Sequence, residues 1–499
     1  MLAQASSYVG AFVVYLLIRT IYRLYFHALS KIPGPKLAAA TNGYEFYFNV
    51  IKRGKFIWEI ERLHEIYGPI IRITPKEIHI KDSNYYEEIY ASSSRRREKD
   101  GPYFSQFDME GSGFVTVSAE LHRERRAPLN KLFSKSATTD MLPILYDNLD
   151  KLCSHIESAH ESDRVIKLDA GFAGLTSDTI YGYFLGYRSG NLDSPDFNEH
   201  VRDGINALAR FCHVNFFFPI IQTIVGLFPL PVLKTLNPHM HALMEQKAHI
   251  RAQVVNVLSG KQTKDGSALE SVLNEGLPEN LRGVDRLANE GMAIVSAGIE
   301  TTSRALAVGF YQIISNKNIQ AKLRKELRPV IPTPQSRPAW DQLRQLPYLS
   351  SVILETLRLA TGIAMRSPRV APTETLIYGD HIIPPGTSMS QHNYFVLMDP
   401  EIFSEPHVFD PERWLRAAAK GEHLERYLVS FSKGSRNCLG MNLAYAELYL
   451  TIATLIRQFD FTLHDTTWKD IAFARDFAVP YPEEGNTSLQ VRVGNLIPE

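Results

Sequence analysis

Ten residues constrain this chain more than any other feature. Positions 431–440 read Phe-Ser-Lys-Gly-Ser-Arg-Asn-Cys-Leu-Gly, and they carry one of only three cysteines in 499 residues. A thiolate, not a thiol, binds metal, and a cysteine facing a helix N-terminus is helped towards that form by the free N–H groups and the helix dipole. Residues 439–459 have the apolar periodicity of such a helix. Gly434 and Gly440 lack a Cβ and would let backbone lie flat against a planar macrocycle. Phe431 is placed to shield the sulfur of Cys438 from water, and Arg436 to hold an anionic substituent with its rigid fork of donors. Cys153 and Cys212 have no such surroundings and read as small buried hydrophobes.

Phe431, Gly434, Arg436, Cys438 and Gly440 together match Phe-x-x-Gly-x-Arg-x-Cys-x-Gly. The stretch resembles the haem-binding loop of the cytochrome P-450 monooxygenases. The resemblance implies haem b (iron protoporphyrin IX) with Cys438 as axial iron ligand, Arg436 on a propionate, and a mainly α fold with small β-sheets. It covers residues 33–493, and the stretches at 70–75 and 364–370 look most like fungal secondary-metabolism members.

The chain is longer than a usual single-core domain, yet no low-complexity linker or internal repeat divides it, so one large catalytic unit is expected. Lys plus Arg and Asp plus Glu stand at 54 each, which removes any bulk electrostatic case for nucleic acid. Three cysteines argue against a disulfide-built secreted scaffold.

Residues 1–18 carry no charge and are continuously apolar from Tyr8 to Ile18; at about 1.5 Å per residue they span roughly 27 Å, near the thickness of a hydrocarbon core. Arg19, Arg23 and Lys31 follow the run and none precedes it, which places the remainder in the cytosol. A cleaved signal peptide would carry a basic residue before the run and a small-x-small site after it, and neither is evident. Ile32-Pro33-Gly34-Pro35 then breaks helix potential. The expected organisation is an anchor at 1–24, a basic, proline-rich hinge at 25–36 and a catalytic domain at 37–499. With the resemblance, this implies a single-pass protein of the endoplasmic reticulum membrane.

Several further motifs take meaning from their spacing. Residues 70–80 form two short apolar runs around Pro75, a small hairpin at a sheet edge. Leu121 opens a basic helix in which His122 and Arg126, four apart, share a face. The family that the chain resembles usually carries Trp-x-x-x-Arg touching the haem propionates here; Arg126 matches and His122 replaces the tryptophan. Arg123, Arg125, Lys131 and Lys135 read as solvated charges, and the resemblance puts them where an acidic, electron-donating reductase docks. Residues 211–238 are densely apolar but interrupted by Pro219, Pro229 and Pro231, so they are either core or an apolar lid at the substrate entrance that dips into the membrane.

Residues 284–315 are the longest helical pattern, roughly 48 Å at 1.5 Å per residue and apolar nearly all round at the centre. Ala297-Gly298-Ile299-Glu300-Thr301-Thr302 interrupts it with groups that are costly to bury without a role. The segment resembles the dioxygen-activating part of the family: Gly298 admits a ligand, Thr301 holds a hydroxyl near bound dioxygen, and Glu300 relays protons. Downstream, Glu355 and Arg358 lie one turn apart on a helix opened by Pro347. With Arg413 they resemble the triad that braces the haem loop, Trp414 standing where phenylalanine is usual. Arg366 resembles a propionate-binding arginine, 361–365 a pocket wall, and 476–481 a turn at the far wall. Asn486-Thr487-Ser488 is a sequon that a cytosolic domain leaves unmodified.

The first functional expectation is a monooxygenase that inserts one atom of dioxygen into an apolar terpenoid or polyketide-derived molecule, with electrons from an NADPH-dependent flavoprotein reductase. A haem-thiolate isomerase or dehydratase without external electrons is the runner-up; the Glu300-Thr301 pair speaks against it. A non-catalytic haem-binding membrane protein would need no Thr301.

Overall fold

The computed structural model describes residues 2–260, 266–483 and 487–497. Helix α1 (Leu2–Ile21) exposes Tyr8, Phe12 and Leu17, and the span Ser6–Phe26 is long and apolar enough to cross a membrane. The hinge behind it docks on the first strand, where the Arg72 amide donates to Pro33 O at 2.7 Å. Gly34 adopts φ +150°, and a Cβ there would stand 2.5 Å from Arg72 O, so this contact requires glycine.

Strands β1 (Ile70–Arg72) and β2 (Glu77–Ile80) form the expected antiparallel hairpin, Ile70 opposite Ile80. With β3 (Glu98–Lys99), β4 (Arg369–Val370) and β5 (Ser388–Ser390) they make one sheet in the order β1-β2-β5-β4-β3. β1 is an edge strand, yet every residue of β1 and β2 is buried.

The parallel pairing of β2 with β5 brings His79 against His392, and a row of three buried imidazoles results. His64 Nδ1 reaches Gly68 O at 2.8 Å, His64 Nε2 meets His79 Nδ1 at 2.7 Å, and His79 Nε2 meets His392 Nδ1 at 2.9 Å. A carbonyl only accepts, so His64 donates from Nδ1; the alternation then makes each ring a neutral Nδ1–H donor. Burial lowers all three below the ordinary 6.5, His64 to about 4. The unfolded chain therefore takes up protons below about pH 6.5 that the folded chain refuses until about pH 4, and stability falls as pH drops through that window. For His64 alone the loss amounts to roughly 3 kcal/mol at its acid end. Thermal unfolding of wild type and His64→Phe from pH 7.5 to 4.5 checks this: the variant should start less stable and lose less on acidification, and equal slopes would contradict it.

Nine further helices frame the site: α2 (Ala119–Leu132), α3 (Leu168–Ile180), α4 (Glu199–Phe217), α5 (Ile220–Gly226), α6 (Leu230–Leu236), α7 (Pro238–Leu258), α8 (Val284–Ser315), α9 (Pro347–Ala360) and α10 (Met441–Gln458). Ser118 caps α2, accepting from the Leu121 amide, so the basic helix starts two residues before Leu121. α8 runs through the core with the bounds expected from its pattern. The prolines divide 211–238 among α4, α5 and α6. Ile220, Ile224, Leu227, Leu230 and Leu236 there are exposed, and only Leu233 among the α6 apolar side chains is buried. That excludes simple core for α5 and most of α6. Strands β6 (Arg475–Phe477) and β7 (Val479–Tyr481) form the C-terminal hairpin, turning at Ala478 with φ +67°. The sequon asparagine, Asn486, lies outside the described residues.

Candidate active site

The cysteine loop is folded by its own backbone. Cys438 N–H donates to Phe431 O at 2.9 Å and Asn437 N–H to Gly434 O at 3.2 Å. Gly434 has φ +72°, and a Cβ there would lie 2.2 Å from Ala91 O and 2.3 Å from Tyr90 O. Its glycine is thus required by packing against residues 90–91. Gly440 differs: it precedes α10, lines the cavity, and a Cβ there would meet nothing within 4 Å. Phe431 packs on Tyr445 with ring centroids 5.2 Å apart. The Cys438 side chain is exposed to the cavity that it lines. Burial raises its pKa, against the Gly440 N–H and Arg126, which favour the thiolate.

That cavity, of about 300 Å³, has a cationic rim. Lys99, His122, Arg126, Arg369 and Arg436 all line it. Arg126 donates to Asn437 O at 2.6 Å and Oδ1 at 3.0 Å. Arg436 gives its two terminal nitrogens to Thr116 O, Val117 O and Ser118 O, while its buried Nε has no partner. Lys99 donates to Phe114 O and sits over the Phe104 and Phe114 rings, 4.0 and 4.3 Å from their centroids. Burial first, then mutual repulsion, lowers Lys99 strongly, Arg436 to about 9 and His122 to about 2, so His122 is neutral.

Arg366 is the main correction. It does not line the cavity; its guanidinium is buried between Glu77 Oε1 at 2.8 Å and Glu45 Oε1 at 2.7 Å. Arg369, three residues on in β4, takes the rim position instead. Residues three apart in extended chain point to opposite faces, and nothing local says which face is the cavity. Lys99 was also missed, hidden at the end of Arg95-Arg96-Arg97-Glu98-Lys99, a run that reads as solvated charge.

On the opposite wall, α8 presents Thr301, whose hydroxyl donates to Ala297 O at 2.8 Å. Gly298 lines the cavity too, but a Cβ on it would stand 3.2 Å from Ile180 Cγ1, so its small size also serves the α3–α8 contact. Ile363 and Met365 complete the wall; Ala364 N–H and Met365 N–H donate to Ala478 O, so the β6–β7 turn supports this stretch from behind. Glu300 faces elsewhere. About 100° around the helix from Thr301, it lines a second cavity of about 580 Å³ with Arg304 and Tyr481, and Tyr481 OH donates to it at 3.3 Å. The larger cavity lacks the thiol, so the chemistry belongs to the smaller one.

Behind the loop, Glu355 accepts from Arg358 at 2.7 and 3.0 Å and from Arg413 at 3.1 Å. Trp414 Nε1–H donates to Glu355 Oε2 at 3.0 Å, which gives the tryptophan a partner that phenylalanine would lack. Ser430 Oγ–H donates to Leu357 O at 2.8 Å, joining α9 to the cysteine loop.

These residues fit an iron porphyrin. The crowded cations and the unpartnered Arg436 Nε call for an anionic group, the open Cβ position of Gly440 leaves a flat bed, and the thiol faces it. A thiol on one wall, cations at the rim and a hydroxyl-bearing helix opposite define a cysteine-ligated haem protein. The sequence profile described as Cytochrome P450 matches residues 39–485, and the chain belongs to that family; it is a haem-thiolate monooxygenase. It is similar to Cytochrome P450 monooxygenase pbrB of Penicillium brasilianum, 38% identical over 99% of this chain and 98% of the relative. It is also similar to Conidiogenone synthase PchP450 of Penicillium rubens, 41% identical over 95% and 96%, and to Cytochrome P450 monooxygenase TRI4 of Trichoderma arundinaceum, 39% identical over 96% and 93%.

Proposed function

We propose that this protein oxidises an apolar terpenoid or polyketide-derived molecule of fungal secondary metabolism while anchored in the endoplasmic reticulum membrane. Electrons come from an NADPH-dependent flavoprotein reductase. The observation that carries the reading is that Thr301 and the Cys438 thiol line one cavity whose far wall is apolar, with Phe114, Ile180, Ile294 and Ile363. Haem supplies the reductive splitting of dioxygen when bound, thiolate donation favouring O–O cleavage. The protein's part is to hold substrate against that wall and to move protons. Thr301 keeps its hydroxyl at the cavity surface by bonding Ala297 O. Glu300, on the second cavity, is placed to take protons from solvent and pass them around α8, with Tyr481 holding its carboxylate.

α1 is the anchor, and the exposed apolar side chains of α5 and α6 rest on the same membrane. Propionate binding falls to Arg126, Arg369, Arg436 and Lys99, with neutral His122 packing beside them. On α2, Arg123 is exposed and serves reductase docking. Arg125 does not, because it turns inward to Thr116 Oγ1 at 2.7 Å.

Thr301→Ala tests the reading in a system reconstituted with reductase. Haem content and substrate affinity should stay near wild type while product per NADPH falls several-fold and hydrogen peroxide rises. Wild-type coupling and rate in the variant would overturn the proton-steering role of Thr301, and product formation without NADPH would favour a rearrangement that needs no external electrons.

A further inference from the structure

Glu290 is a buried carboxylate, 4% exposed, that the oxygen-side chemistry does not use, and it lines the thiol-bearing cavity. It precedes Thr301 by eleven residues on α8. Eleven steps of 100° exceed three full turns by only about 20°, so both side chains leave the same face, roughly 16 Å apart along the axis. Between them on that face stand Ala293, Ile294 and Ala297, which also line the cavity. The two alanines leave room for a rigid apolar body, with an acid at one end and a hydroxyl at the other.

Glu290 is partly occupied. Gly113 N–H donates to Oε1 at 3.2 Å and Oε2 at 3.1 Å, and Arg286 Nη1 to Oε2 at 2.9 Å. Arg125 and Arg286 are the charged groups near it. Those contacts hold the carboxylate rigidly and bring Phe114 over the cavity, yet they leave acceptor capacity on Oε1, whose single contact is long.

We propose that Glu290 is the substrate anchor, accepting a hydrogen bond from the hydroxyl of a polycyclic alcohol whose opposite end lies beside Thr301. This rests on the monooxygenase reading and narrows its substrate class: an apolar skeleton that already bears a hydroxyl. An earlier hydroxylation, or hydration during cyclisation, must then supply the substrate.

The test is a spectral titration of the haem-loaded protein, followed by the low- to high-spin shift, with the tetracyclic alcohol 5α-androstan-3β-ol, long enough to reach from Glu290 towards Thr301, its methyl ether and the hydrocarbon 5α-androstane. Wild type should prefer the alcohol over the ether about tenfold, as a hydrogen bond to a charged acceptor gives. Glu290→Leu should abolish that preference. Glu290→Gln keeps an oxygen for Gly113 N–H, and should weaken the alcohol several-fold with the ether unchanged. No alcohol preference in wild type, or the same preference in Glu290→Gln as in wild type, overturns the proposal and leaves Glu290 as a loop tie only. The titration needs no reductase or turnover, so its failure is distinct from a failure of the NADPH-coupling test, and the carbon-monoxide spectrum checks the haem of each variant.

Discussion

Cys438→His should give a protein that, where it retains haem, has lost the strongly red-shifted band of its reduced carbon-monoxide complex and nearly all NADPH-driven turnover. The band reports thiolate donation to iron, and imidazole donates far less. The structure leaves no substitute: Cys153 and Cys212 are buried in the core, and neither lines the cavity. The loop itself should survive, because its fold rests on the Cys438 N–H to Phe431 O bond and on Gly434 beneath Ala91 O. The defect is therefore one of chemistry, with haem content reduced rather than abolished. Difference spectra and haem per polypeptide separate the two effects, and an unchanged band would exclude Cys438 as the ligand.

Glu355→Ala should be the most damaging change away from the haem. Glu355 and Arg358 are fully buried and Arg413 is 6% exposed. The carboxylate also accepts from Trp414 Nε1–H and Asp410 N–H. Removing it strands two buried guanidiniums and two further donors, and breaking a buried pair costs about 3–5 kcal/mol, a large part of the 5–15 kcal/mol that keeps a protein folded. Low expression and little bound haem are expected. Glu355→Gln retains oxygen acceptance without the charge and should fall between. Normal haem content in Glu355→Ala would refute the bracing role.

The correct and the missed assignments differ in one physical respect. The cysteine loop, the bounds of α8 and the pairing of β1 with β2 follow from interactions a few residues apart: backbone bonds, helix period and a proline turn. Glu355 and Arg358 were legible because they lie one turn apart on α9. Arg366 instead takes its partners from distant parts of the chain. Its anions are Glu45 and Glu77, almost three hundred residues earlier or more, and burial of three charges at one point selects that pairing over the cavity.

The sequence by itself determined the thiolate ligand, the hydroxyl-bearing helix opposite it, the apolar N-terminal span and the family, because each is written in contiguous residues whose chemistry has one sensible use. Tertiary structure decided direction. It turned Glu300 to a second cavity, put Arg369 and Lys99 at the rim, bound Arg125 to Thr116, and set Glu290 on the line of Thr301. Which face of an all-round apolar helix meets a cavity, and which of several arginines finds an anion, depends on what packs against them from distant parts of the chain. A buried charge goes where its desolvation is best offset, and that place exists only once the chain has folded.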